Sequence, residues 1–87
     1  MSVKYYTDDY IFKPSRRKNK KYDAFTLAGE YITSFGDNRY EQYRDSIGHY
    51  ADKNHNDKKR RNNYFKRHGN KFKFESAGYF SAFYLWN

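Results

Sequence analysis

The feature that most limits what this chain can fold into is its shortage of aliphatic side chains. Val3, Ile11, Leu27, Ile32, Ile47 and Leu85 supply nearly all of them in 87 residues, against 11 Tyr, 8 Phe and one Trp. A chain this short makes one domain with a modest core and little stability to spare. Here that core must be built from rings, which bury a large area each. Tyr hydroxyls need partners when buried, so many of these rings belong at the edge of the core or in an interface. Cysteine is absent, so no disulfide or thiolate zinc site staples the fold.

The rings are interleaved with positive charge. The formal net charge is +8, and it is unevenly spread. Residues 1–21 hold seven Lys/Arg against Asp8 and Asp9, and residues 53–73 hold nine against Asp57. The stretch between them, 22–52, holds two Arg against six acids. Two basic blocks around an acidic middle imply an anionic partner: nucleic acid, an acidic protein surface or a lipid headgroup layer. The start, Met-Ser-Val-Lys, lacks the apolar run of a signal peptide. The weakly polar run Ala77 to Trp86 is about half of the ~20 residues needed to span a bilayer. A soluble chain with no membrane span is expected.

Local patterns predict an α+β fold, a hairpin packed with two to three short helices. Residues 1–14 read as an extended arm, or as an arm whose Tyr10-Ile11-Phe12 forms an edge strand stopped by Pro14. Residues 15–21 form a basic loop. Tyr22–Leu27 and Glu30–Phe35 flank Ala28-Gly29 as a hairpin with a two-residue turn. With Leu27 opposite Glu30, Phe25, Leu27 and Ile32 share one face, and Tyr22, Tyr31 and Phe35 the other. Asn38 and Glu41 have the spacing of a helix cap, and Tyr40, Tyr43 and Ile47 then share a helical face that ends at Gly48.

Residues 57–68 read as a strongly basic helix. Asn56 or Asp57 caps its start, cations fill its last turn, and Gly69 ends it. Arg60, Tyr64 and Arg67/His68 line one stripe, with Arg61 and Phe65 beside them. Ser76 caps a last helix reaching residue 86, in which Tyr79, Phe83 and Trp86 are expected to be internal packing. Its small residues Ala77, Gly78 and Ser81 admit a close neighbour.

The residues expected to meet a partner or nucleic acid are Arg16, Arg17, Lys18, Lys20 and Lys21 in the loop. In the helix they are Lys58, Lys59, Arg60, Arg61, Tyr64, Lys66 and Arg67. Cations can grip phosphates while rings stack on bases. The same residues suit an acidic protein surface, since Tyr and Arg are favoured in interface hot spots. His49, His55 and His68 match no compact zinc spacing. Neither a phosphate-cradling Gly loop nor a nucleophile elbow is present. No enzyme, cofactor or small-molecule substrate is expected.

Several segments taken together resemble a family of short proteins of large DNA viruses of eukaryotes and of marine tailed phages. They are Ile11 to Ala24; Ser34-Phe35-Gly36; His55-Asn56-Asp57 with Arg60-Arg61-Asn62-Asn63-Tyr64 and Arg67-His68; and Ser76 to Phe80 with Tyr84-Leu85-Trp86. The likeness runs from about Ile11 to Asn87. It implies a viral origin but carries no activity and no catalytic residues. For a small, basic, aromatic viral protein it leads to a minor capsid or cementing component docking on acidic capsid proteins. The alternative is a sequence-nonspecific binder of DNA or RNA, and a weaker third is an inhibitor of a host nucleic-acid enzyme. The expected location is the virion or the cytoplasm of the infected cell.

Overall fold

A computed structural model describes residues 3–87. The first two residues of the 1–14 segment lie outside the described residues. Four strands form an antiparallel meander in the order β1-β2-β3-β4: Tyr5–Tyr6, Tyr10–Pro14, Tyr22–Thr26 and Tyr31–Phe35. A 3-10 turn at Ala51–Lys53 and two helices, α1 (Lys58–His68) and α2 (Ala77–Tyr84), complete the α+β fold.

Tyr10–Pro14 is an interior strand rather than an edge, because Tyr5 and Tyr6 fold back to pair with Phe12 and Ile11. Pro14 lies beyond that short pairing, so its missing N–H leaves no ladder bond unmade on that side. The basic loop is the β2–β3 turn, closed by Ser15 N–H donating to the Lys21 carbonyl at 2.9 Å.

The β3–β4 turn has three residues, Leu27-Ala28-Gly29, not two. Thr26 N–H donates to the Glu30 carbonyl at 2.8 Å, and Gly29 takes φ 93°, a conformation glycine adopts freely. A bulge then shifts the register: Tyr22 faces Phe35 and Ala24 faces Thr33, but Phe25 faces Tyr31. Tyr22 and Phe35 therefore share the inner face as expected, whereas Tyr31 moves to the outer face beside Phe25. One extra residue inverts every side chain beyond it.

Alternate residues Tyr10, Phe12, Tyr22 and Ala24, with Phe35, line the inner face. Helix α2 lies on it and inserts Phe80, whose ring is 4.9 Å from Tyr10, 5.9 Å from Phe12 and 5.3 Å from Phe35. Leu85 seals the end. The buried residues of α2 are thus Phe80 and Ala82, with Leu85 just beyond its end. Phe83, expected inside, is 53% exposed, and Tyr79 and Trp86 are half-buried. The helix is ringed by aromatics, and periodicity alone does not say which of them faces the sheet.

The helix expected from Asp37 to Ile47 is absent. Its backbone groups bond elsewhere. Arg44 and Ser46 N–H donate to the Leu85 and Tyr84 carbonyls, at 2.9 Å each, which satisfies the open C-terminal end of α2. Gln42 and Tyr43 pair with the stretch after the 3-10 turn through His55 N–H and Asn56 N–H, each at 3.0 Å. The Asp45 carboxylate accepts from Ile47 N–H (2.9 Å), Tyr50 N–H (2.8 Å) and the Tyr22 hydroxyl. Short polar side chains that bond the backbone locally compete with helix formation.

Candidate functional site

The two basic blocks meet at a groove. Asp57 caps α1 by accepting from Lys59 N–H at 2.9 Å and Arg60 N–H at 3.3 Å. Gly69 closes the helix at φ 76°. The helix between them presents Arg60, Arg67 and His68 along one wall. Lys20, Gly36, Asp37, Tyr40 and Glu41 form the opposite wall. The floor is the small-residue face of α2, Ala77, Gly78 and Ser81, with Leu85 and Trp86 at its end; the groove holds about 530 Å³. A second depression of about 500 Å³ shares Arg60, Arg67 and Trp86 and adds Asn63 and Lys66.

Gly36 allows this wall to pass close to the core. It sits at φ 75°, and a Cβ there would lie 2.9 Å from Leu85 Cδ1 and 3.0 Å from Lys21 Cβ. Any side chain at that position would push the wall away from α2.

The cations do not act alike. Arg60 pairs with Glu41 across the groove at 2.9 Å, and that pairing lowers the Glu41 pKa. Arg39 holds Asp37 at 2.7 Å and brings its carboxyl down to about 2. Both acids of the groove are thus engaged. Among the described residues, Lys20, Lys66 and Arg67 have no carboxylate within ion-pair distance and are exposed. They leave the groove with a net positive field.

Three residues expected at a binding surface are tied into the fold, although Lys21 and Tyr64 also line the groove. Lys21 is 2% exposed. Its ammonium donates to the Tyr40 carbonyl (2.9 Å) and to Gln42 Oε1 (2.5 Å), and burial pushes its pKa down to about 8. It ends the basic run of the loop and begins the ladder into β3. Tyr64 is 8% exposed and stacks on Trp86 at 4.3 Å with the planes 3° apart. Arg61 Nε donates to the Trp86 carbonyl at 2.9 Å, and its guanidinium lies over Tyr43 and Phe65. Replacing Arg61 would therefore loosen the fold, so it is no clean probe of binding.

The remaining expected residues scatter. Arg17 lies over the Tyr31 ring at 5.4 Å. Arg16 borders a separate depression on the outer face of the sheet with Lys13, Asp23 and Phe25. Lys18, Lys58 and Lys59 are exposed and border neither part of the groove. Sequence reasoning did not place Trp86 or Asn63 here, although the small-residue face of α2 signalled a close neighbour.

His55 lies behind the wall. Its Nδ1 accepts from Asp57 N–H at 2.9 Å, which places the ring proton on Nε2 in the neutral form, and Nε2 is buried with no hydrogen-bond partner. Burial, and then Arg60, lower its pKa. Among the described residues no three His, Asp or Glu side chains converge as a metal ion would require. Nor, among those residues, is any helix long and apolar enough to cross a membrane.

Chemically, an anionic group can sit by Lys20 and Arg67 in the groove, or by Lys66 and Arg67 in the adjoining depression, with Trp86 bordering both. Comparison with protein-family models, curated proteins and solved structures returned no match.

Proposed function

We propose that this chain is a small viral interaction protein, a minor capsid or cementing component whose groove docks on an acidic surface of the capsid proteins. One observation carries the reading: α2 is a wall between two unlike surfaces. Its residues Ala77, Gly78 and Ser81 border the cationic groove, and Tyr79 and Phe83 each lie roughly 160° around the helix from Ser81, at about 100° per residue. A subunit that joins neighbours needs two contact faces of different chemistry, and this helix separates them. The viral setting rests on the resemblance in the segments named above, and the location that follows is the virion or the infected cell.

A second reading is favoured by one specific feature. Trp86 borders the depression with Arg60, Lys66 and Arg67. A ring among cations is what single-stranded nucleic acid stacks on.

One experiment separates the two. The purified protein is titrated with random-sequence single-stranded and duplex DNA over a range of salt, and its copy number is measured in purified virions. The docking reading expects weak DNA binding and a fixed copy number set by shell symmetry. Tight binding that falls steeply with salt, at a stoichiometry tracking genome length, means counterion release and overturns it in favour of the nucleic-acid reading. The variant Lys66→Glu with Arg67→Glu keeps the fold and loses the partner in either case. Both side chains are exposed, and neither has a carboxylate within ion-pair distance among the described residues.

A further inference from the structure

On the far side of α2 the exposed rings have a different surrounding. Phe74 is 69% exposed and Phe83 53% exposed, and with Tyr79 they border a depression of about 460 Å³. The rings stand at angles to one another. Phe74 and Tyr79 are 5.3 Å apart at 67°, and Tyr79 and Phe83 are 4.7 Å apart at 51°. They form walls rather than a flat stack. Asp9 and Glu75 complete the rim.

Elsewhere two exposed rings carry the molecule's own cations, although Tyr6, 67% exposed, has none over it among the described residues. Arg17 lies over Tyr31 and Arg39 over Tyr40, at 5.4 and 5.5 Å. Among the described residues, no Lys or Arg lies over Phe74, Tyr79 or Phe83. The charged neighbours on that rim are carboxylates instead. Neither Asp9 nor Glu75 has a cation within ion-pair distance among the described residues.

Glu75 is held in place. Its backbone takes φ 58°, in the left-handed region that non-glycine residues rarely occupy, and its Oε2 accepts from the Tyr10 hydroxyl at 2.9 Å. One carboxylate oxygen is anchored and the other is free beside the rings.

From this geometry we infer that the pocket of Phe74, Tyr79 and Phe83, rimmed by Asp9 and Glu75, binds an arginine or lysine side chain on a basic segment of a partner protein. Angled rings attract a cation to their faces, and a carboxylate at the rim completes the charge match. The occupant has the opposite sign to that of the groove. The two faces of α2 therefore select different partners, and this inference stands whether the groove takes protein or nucleic acid.

The test is a titration of the isotopically labelled protein with a tetra-arginine peptide at physiological salt, followed by amide chemical shifts. Shifts should concentrate at Asp9, Phe74, Glu75, Tyr79 and Phe83. Phe83→Ala and Glu75→Gln should each weaken binding on the order of three- to tenfold, as loss of one cation–π or charged contact does. Phe74→Ala serves as a second variant, since so exposed a ring is not needed for folding. Lys66→Glu with Arg67→Glu should leave the peptide affinity of the pocket intact, which keeps this result separate from that of the groove. The inference is overturned if the peptide shifts residues elsewhere, if both ring variants bind as the parent does, or if a tetra-glutamate peptide gives the same shifts. Shifts at these residues on raising protein concentration alone would also overturn it, because the occupant would then be a second copy.

Discussion

Beneath the sheet, Phe12, Tyr22, Phe35 and Phe80 meet ring to ring. At the end of the same sheet, the segment from Asp37 to Asn56 is held by an unlike set of contacts. Lys21 donates to Gln42, whose Nε2 donates to Asn54 Oδ1 at 2.6 Å and to the Tyr50 carbonyl at 2.8 Å. Asn54 Oδ1 also accepts from Asp45 N–H at 2.7 Å, and Asp45 accepts from the Tyr22 hydroxyl. Tyr22 belongs to both regions, with its ring in the core and its hydroxyl in the network. Ring packing is tolerant of which ring touches which, whereas a buried polar network is sound only when every member is bonded. This chain has few aliphatics for a second hydrophobic layer, and it uses polar side chains where a larger domain would use Leu and Val. The groove is built on the polar half, since Lys21, Tyr40 and Glu41 come from it.

The largest effect expected is at the ring core. Phe12 is fully buried and contacts Tyr10, Tyr22, Phe35, Phe80 and Tyr84. Phe12→Ala should cost about 3–5 kcal/mol, which is most of the stability a small domain has. Urea unfolding should show the midpoint collapse and the two helices lost together. In the polar half, Asp45→Ala removes three hydrogen bonds and leaves the Tyr22 hydroxyl without its acceptor. The expected cost is about 2–3 kcal/mol. Its signature is regional: amide exchange should speed up at Ile47 and Tyr50 while the strands stay protected. A global loss equal to that of Phe12→Ala would mean that the two halves are one cooperative unit, and the contrast drawn here would fail.

The same contrast explains what could be read in advance. Helix α1 was legible because its signals are local: a capping Asp57, cations in the last turn and Gly69. Ser76 and α2 were legible for the same reason. The hairpin strands were visible, but the bulge after Ala24 was not, because nothing in Thr33-Ile32 distinguishes a bulged from a regular residue until the partner strand is placed. The polar half misled altogether. Asn38, Glu41, Tyr40, Tyr43 and Ile47 carry helical spacing, yet the backbone of this stretch bonds elsewhere: Arg44 and Ser46 to Leu85 and Tyr84, Tyr43 to Asn56, and Ile47 to the Asp45 side chain. At the site, charge located both blocks, but it did not reveal that Lys21 and Arg61 are held inside or that Trp86 borders the groove. Burial of a cation depends on acceptors such as the Tyr40 carbonyl and Gln42, which sit about twenty residues away and leave no periodic trace.

The smallest effect expected is also the sharpest probe of the polar half. Lys21 is charged on the unfolded chain up to its ordinary pKa of 10.5, but in the folded protein burial brings it to about 8. Between those values the unfolded state holds a proton that the folded state lacks, so stability rises with pH through this window. The slope approaches about 1.4 kcal/mol per pH unit where the difference is one full proton. The buried phenols of Tyr10 and Tyr22 act in the opposite sense. Burial, and after it a carboxylate partner, raise their pKa values above 10, so the unfolded chain releases those protons first and stability falls above about pH 10. A maximum near pH 9–10 is therefore expected in thermal unfolding. Lys21→Met keeps the apolar stem, removes the titrating amine and leaves the Tyr40 carbonyl and Gln42 Oε1 without a donor. Loss of the desolvation penalty and loss of two hydrogen bonds oppose each other, so the net change at pH 7 should be within about 1 kcal/mol. The informative readout is the shape of the profile: the rise between pH 8 and pH 10 should vanish in the variant while the fall above it persists. A rise that survives Lys21→Met would assign it to another group and remove Lys21 as the charge on which the polar half turns.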